Sequence, residues 1–184
     1  MNDLAMHILD IVQNSISAGA KWIEITVIED IIRDILSIII KDNGKGMSPE
    51  AVKKVTDPYF TSRTTRKVGL GIPLLKQTAI QTGGDVTIES QLGVGTTVRA
   101  DFGYSNIDRP PLGDLANAYI LLLSANPDLN MVLNYSCNEN TYSISTDEIK
   151  EALDDVPLND PSVVKLLNDM VRSNILDIQS LADN

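Results

Sequence analysis

Cysteine is nearly absent: the chain of 184 residues has one, Cys137. A single thiol cannot close an internal disulfide, which argues against a secreted, disulfide-stapled fold and predicts a reduced, cytoplasmic protein. Cys137 falls in a stretch that reads as strand, so packing is expected of it rather than nucleophilic chemistry. A long hydrophobic run is also missing. The longest, from Ile35 to Ile40, is interrupted by Ser37 and is far too short to span a bilayer. The start, Met-Asn-Asp, has neither a basic n-region nor an apolar h-region, so neither a signal peptide nor a membrane partner is expected. No internal repeat or low-complexity segment interrupts the chain.

Basic residues are scarce in one half only. Residues 105–184 hold 4 basic and 13 acidic side chains, against 11 and 12 in residues 1–104. So sharp a shift predicts two modules. It also argues against nucleic acid as a partner, because phosphate backbones are bound by basic patches. Hydrophobic residues make up 43 %, enough for a packed core.

Residues 3–18 read as a helix with an inverted pattern. Asp3, His7, Asp10, Asn14 and Ser17 recur at spacings of four and three, which places them on one narrow stripe. Leu4, Ile8, Leu9, Ile11, Val12 and Ile16 cover most of the remainder. Such a helix is expected to be buried on most sides, with its polar stripe lining a cavity. Two strands follow, around Ile23–Val27 and Leu36–Lys41. The second ends at Asp42-Asn43-Gly44-Lys45-Gly46-Met47, and Ser48-Pro49-Glu50 starts a short helix. Residues 56–68 read as a loop crowded with Thr61, Ser62, Arg63, Thr64, Thr65, Arg66 and Lys67. Gly69-Leu70-Gly71 opens a helix that stops at Gly83-Gly84, and strands follow at 85–89 and 96–102. A mixed sheet with helices on one face, a two-layer α/β arrangement, is the expected result.

Residues 105–112, with Arg109-Pro110-Pro111, read as a linker. Beyond it a small acidic α+β region, 113–184, is expected: a helix over 114–124, a hairpin of 131–137 with 141–145, a helix opened by the capping box Ser145 to Glu148, and a last helix from Asp160-Pro161 towards Ile178.

Four motifs carry chemistry. Asp10 and Asn14 set a carboxylate and an amide one turn apart. Asp42-Asn43-Gly44-Lys45-Gly46 puts an acid at a strand end, with glycines that let backbone approach a ligand. Gly69-Leu70-Gly71 offers backbone N–H groups at a helix start, where phosphate is favoured. Gly93-Val94-Gly95-Thr96-Thr97 allows a second close approach. In this order they resemble the N, G1, G2 and G3 boxes of the GHKL superfamily of gyrase, the large heat-shock chaperones, histidine kinases and MutL. The segment Asn14 to Ala20 is similar to the MutL form of the first box. Asp57-Pro58-Tyr59-Phe60-Thr61 through Gly71, then Gly83-Gly84 and Gly93 to Thr97, are closer to histidine kinases.

The resemblance covers about residues 1–104 and implies a Bergerat-type fold that binds ATP with Mg²⁺. It gives Asn14 to the metal, Asp42 to the adenine amino group, Gly46 and Thr97 to the same end of the nucleotide, and Gly69 and Gly71 to the phosphates. It extends nucleotide contact to Gly44, Met47, Phe60, Thr61, Arg63, Lys67 and Leu70. Arg63, Arg66 and Lys67 fall where the family's lid sits; they read equally as a solvated loop. Where gyrase and MutL carry Glu four residues before the Asn, this chain has Asp10. That makes Asp10 either a catalytic base acting through a water or a partner of the metal site. His7 reads either as a hydrogen-bond donor near the γ-phosphate or as a structural residue. It lacks the acidic neighbour of a phosphate-accepting histidine, and only nine residues precede Asp10, so a complete sensor kinase is not expected.

Three readings follow. The first is a kinase-like signalling ATPase that phosphorylates a separate protein, docked through the acidic C-terminal region. The second is an ATP-driven conformational switch of the MutL or gyrase kind. The third is a nucleotide sensor without turnover.

Overall fold

The computed structural model describes residues 3–56 and 71–182. The loop expectations at Phe60, Thr61, Arg63, Lys67, Gly69 and Leu70 lie outside the described residues. Six strands form one mixed sheet in the order β3-β4-β2-β1-β5-β6. They are β1 (Trp22–Asp30), β2 (Ile35–Asp42), β3 (Asp85–Gln91), β4 (Gly95–Gly103), β5 (Asn130–Cys137) and β6 (Asn140–Ser145). All pairs are antiparallel except β1 with β5.

The alternation of apolar and polar residues decides which face is covered. In β1, Ile23, Ile25 and Val27 are fully buried, and the residues between them are half-buried. The register aligns Ile88, Val98, Ile40, Ile25, Leu133 and Ile144 into one apolar row across all six strands. Helices lie on that face, as the alternation predicts.

The helices are α1 (Leu4–Ser17), α2 (Pro49–Thr56), α3 (Gly71–Gln81), α4 (Leu115–Ala125), α5 (Thr146–Leu153) and α6 (Pro161–Ala182). Across the sheet α3 packs on β3 and β4, α1 lies between α3 and α4, and α6 packs on α4, β5 and β6. Local signals start them. The Asp3 carboxylate accepts from Met6 N at 2.9 Å, Asp114 accepts from Asn117 N at 3.0 Å, and α5 opens on the Ser145–Glu148 capping box.

α1 is covered on most sides and leaves one narrow stripe open. Leu4, Ile8, Ile11 and Val12 face the core, while Met6, Asp10, Gln13, Asn14 and Ser17 are exposed. The sheet covers one flank, and α3 and α4 approach from the sides; His7, which the spacing placed on the open stripe, is buried instead.

Residues 105–182 share this core. β5 continues the sheet beside β1, and Leu115, Tyr119, Ile120 and Leu123 of α4 are at most 2 % exposed. The segment 105–112 runs back to α1, whose Leu4 and Ala5 amides donate to the carbonyls of Pro111 (2.9 Å) and Leu112 (2.8 Å). Those are two of the amides that a helix start leaves without an internal partner. Arg109 holds the segment in shape: its guanidinium lies 5.1 Å from the Tyr104 ring and donates to the Tyr104 and Pro110 carbonyls.

Candidate functional site

Asp42 ends β2 on the helix-covered face and is 9 % exposed. Its neighbours in the same cross-strand row are Ile23 and Met131 on one side and Thr96 and Ser90 on the other. The row is apolar in the middle of the sheet and turns polar towards β3. A carboxylate this buried requires partners, and it has two. Ser15 Oγ donates to Oδ2 at 2.6 Å, and the Gly44 amide donates to Oδ1 at 2.8 Å. Ser15 stands one residue past Asn14, on the flank of α1 that faces the sheet.

The turn after Asp42 is stitched to three neighbours. Lys45 N donates to the Ala18 carbonyl at the end of α1, and Gly93 N donates to the Lys45 carbonyl. Met47 N donates to Ser90 Oγ at 2.8 Å, and Ser90 Oγ lies 2.8 Å from Thr96 Oγ1. Asn43 takes no part in the row. Its Oδ1 accepts from the Lys21 and Trp22 amides and fixes the α1–β1 turn. Gly46 is required here twice over. Its φ is +67°, and a Cβ would stand 1.9 Å from the Gln91 carbonyl oxygen.

Thr97 pairs with Lys41 and Glu89, and the side chains of all three point to the uncovered face. Thr97 lines a groove of about 360 Å³ with Trp22, Lys41 and Glu89, and the same groove reaches Asp42, Ser90 and Thr96. Thr96 is the threonine on the Asp42 side. In a Gly-Thr-Thr run either phase of the two-residue alternation reads equally well, and the register decides it.

Asp10 and Asn14 lie on the exposed flank of α1, and Asp10 stands next to the start of α3. Gly71, the first residue of α3, is buried so close to Asp10 that a Cβ would sit 3.2 Å from Asp10 Cβ and 3.3 Å from Oδ2. The described contacts form two groups: Asp10 with the α3 start, and Asp42 with Ser15, Gly44 and the turn that carries Gly46 and Met47. Ser15, Ser90 and Thr96 were missed in the sequence. The available signal was a polar residue on the sheet-facing flank of an otherwise apolar helix.

His7 sits one turn before Asp10. It is 3 % exposed, and its Nδ1 has no hydrogen-bond partner among the described residues. Burial is the largest influence and holds its pKa below the ordinary value, against the opposing pull of Asp10 and Asp3. A histidine kept neutral in the fold contributes stability that is complete above its unfolded pKa, near 6.5, and is lost as pH falls below it. Thermal melts between pH 7 and pH 5 should therefore show a steeper loss for the natural chain than for His7→Gln. Equal slopes would mean that His7 is protonated as easily in the fold as outside it.

Comparison with known proteins follows the same boundaries. The family described as "Histidine kinase-, DNA gyrase B-, and HSP90-like ATPase" matches residues 2–105. "Histidine protein kinase DivJ" of Caulobacter vibrioides is 34 % identical over 99 residues, 52 % of this chain and 17 % of that protein. A "Putative sensor protein" of Shewanella frigidimarina is 32 % identical over 103 residues, 55 % of this chain and 16 % of that one. The chain thus spans about one sixth of the length of these relatives. Among solved structures, the N-terminal domain of a DNA repair protein superposes with a TM-score of 0.54 at 16 % identity, covering 78 % of this chain and 52 % of that one. That is a likeness of fold, and it runs past the end of the family match. Among the described residues no helix is long and apolar enough to cross a membrane.

Proposed function

Since the chain belongs to the histidine kinase-, DNA gyrase B- and HSP90-like ATPase family, we propose that it binds ATP with magnesium and passes the γ-phosphoryl group to a separate protein. The observation that carries the nucleotide reading is the grip on Asp42. A buried carboxylate, oriented by Ser15 and Gly44 at a strand end, is an acceptor fixed in place for an exocyclic amine. Adenine presents an amine there and guanine a carbonyl, so the site selects adenine. Thr96 and Ser90 border the same end, and the start of α3 supplies amides and a helix dipole for phosphate.

Asn14 and Asp10 suit magnesium in kind, since both offer hard oxygen atoms on the open flank of α1. No group of three or more His, Cys, Asp or Glu residues among the described residues forms a ready-made cage. The ion's other ligands would be phosphate oxygens and waters. When bound, it would neutralise phosphate charge. Asp10, beside Gly71, would orient an attacking hydroxyl. The same position suits an attacking water, which keeps the slow hydrolytic switch as a second reading.

Incubation with γ-labelled ATP, alone and with cell extract, separates these readings. Label on a partner supports transfer, and free phosphate supports the switch. With neither, the chain senses nucleotide without turning it over. Asn14→Ala should remove the magnesium-dependent part of ATP affinity in calorimetry. Because Asn14 is exposed, the melting of the free protein should change by no more than about 0.5 kcal/mol. A severe loss of stability without nucleotide would make Asn14 a structural residue.

A further inference from the structure

The sheet has two free edges, and they are treated differently. β3 carries Asp85 and Glu89 along its length, and α2 packs beside it. Charges of this kind discourage a foreign strand. β6, Asn-Thr-Tyr-Ser-Ile-Ser, has no charge, no proline and no bulge over its six residues, and all six pair in unbroken register with β5. The hairpin closes on the pair Cys137–Asn140 with two residues between them, so that pair exchanges its hydrogen bonds. Alternation then turns the amides and carbonyls of Thr141 and Ser143 outward, and both residues are exposed. The next outward amide, Ser145 N, is taken by Glu148 Oε2 at 2.8 Å, so the open edge ends there.

The surroundings state what kind of strand fits. Between residues 139 and 160 there are seven acidic side chains and one basic, Lys150. Glu139 flanks one end of β6, and Asp147 and Glu148 flank the other. A second copy of this edge would bring acid against acid. A strand with lysine or arginine at its ends would meet opposite charge instead.

We propose that β6 is a docking edge for an extended, basic segment of a partner protein, which adds a seventh strand through the backbone groups of Thr141 and Ser143. The surface is independent of the nucleotide reading, and its test does not use ATP. The probe is a short synthetic peptide of alternating threonine and valine with lysine at both ends, titrated into the full chain and followed by amide NMR. Binding should slow hydrogen exchange at Thr141 and Ser143. The same peptide N-methylated on its pairing amides should bind about tenfold more weakly or worse, and an acid-ended version should bind weakest. Ser143→Pro removes an outward donor without touching the β5 ladder, so it should weaken the unmodified peptide by a similar factor. The N-methylated peptide asks the same question of the unaltered chain, should the proline disturb folding. Equal binding of both peptides would reduce the attraction to charge alone and overturn the proposal. So would a free protein that sediments as a dimer with Thr141 and Ser143 already protected.

Discussion

A chain stopped after Tyr104 is expected to be insoluble or unfolded, although it contains nearly all of the family match. The cut removes β5, the parallel partner of β1, and leaves the β1 edge open at the centre of the sheet. It uncovers Ile23, Ile25 and Val27 where Met131, Leu133 and Tyr135 had stood beside them. It also removes α4, whose Leu115, Tyr119, Ile120 and Leu123 are almost wholly buried. Each such side chain is worth roughly 1.5–3 kcal/mol. A domain's net stability is only about 5–15 kcal/mol, so the loss of α4 alone is comparable to the whole. The α1 amides of Leu4 and Ala5 lose their acceptors in the same stroke. The measurement is soluble yield and thermal melting of the 1–104 fragment beside the full chain. A folded fragment that still binds ATP would show instead that the C-terminal layer is a separable module.

Asp42→Asn should leave the fold standing and weaken ATP binding by about ten- to a hundredfold, which is roughly 1.5–3 kcal/mol for a charged acceptor. The structure explains why the fold survives. An asparagine can keep its oxygen towards the Gly44 amide and turn its NH₂ to Ser15. Ser15 Oγ can then accept that proton and donate to the Ile11 carbonyl, which already lies 3.3 Å away. What is lost is the negative charge and the freedom of either oxygen to accept from the base. Calorimetric titration with ATP and GTP would measure both affinity and selectivity. Unchanged affinity would remove Asp42 from the site.

The sequence was most informative where the determinants are local. The Ser145–Glu148 box and the apolar stretch of β1 each depend on a few neighbouring residues, and the elements formed close to where those signals lie. The glycine need at Gly46 was legible because an acid at a strand end followed by glycines signals a tight turn. Three matters depended on distant partners. The parallel pairing of β1 with β5 is invisible in either strand alone. His7 was placed on the open stripe of α1 but is buried, since nothing in the pattern says from which sides α3 and α4 arrive. Ser15 was passed over as part of a motif, since its role appears only when Asp42, 27 positions away, is placed beside it.

The central position of β1 also has a consequence for synthesis on the ribosome. Its partner β2 follows within a few residues, but β5 is complete only at Cys137, 107 residues after Asp30. At about 5–20 residues per second, that delay lasts roughly 5–20 s. During that time a strand rich in isoleucine and valine presents an unpaired edge, and the face of α1 that α4 will cover is bare. Chaperones that shield nascent chains would find their natural target here, and refolding of the finished chain from denaturant would escape the delay. The half of the chain that carries Asp10, Asn14 and Asp42 is thus the first to be made and among the last to be finished.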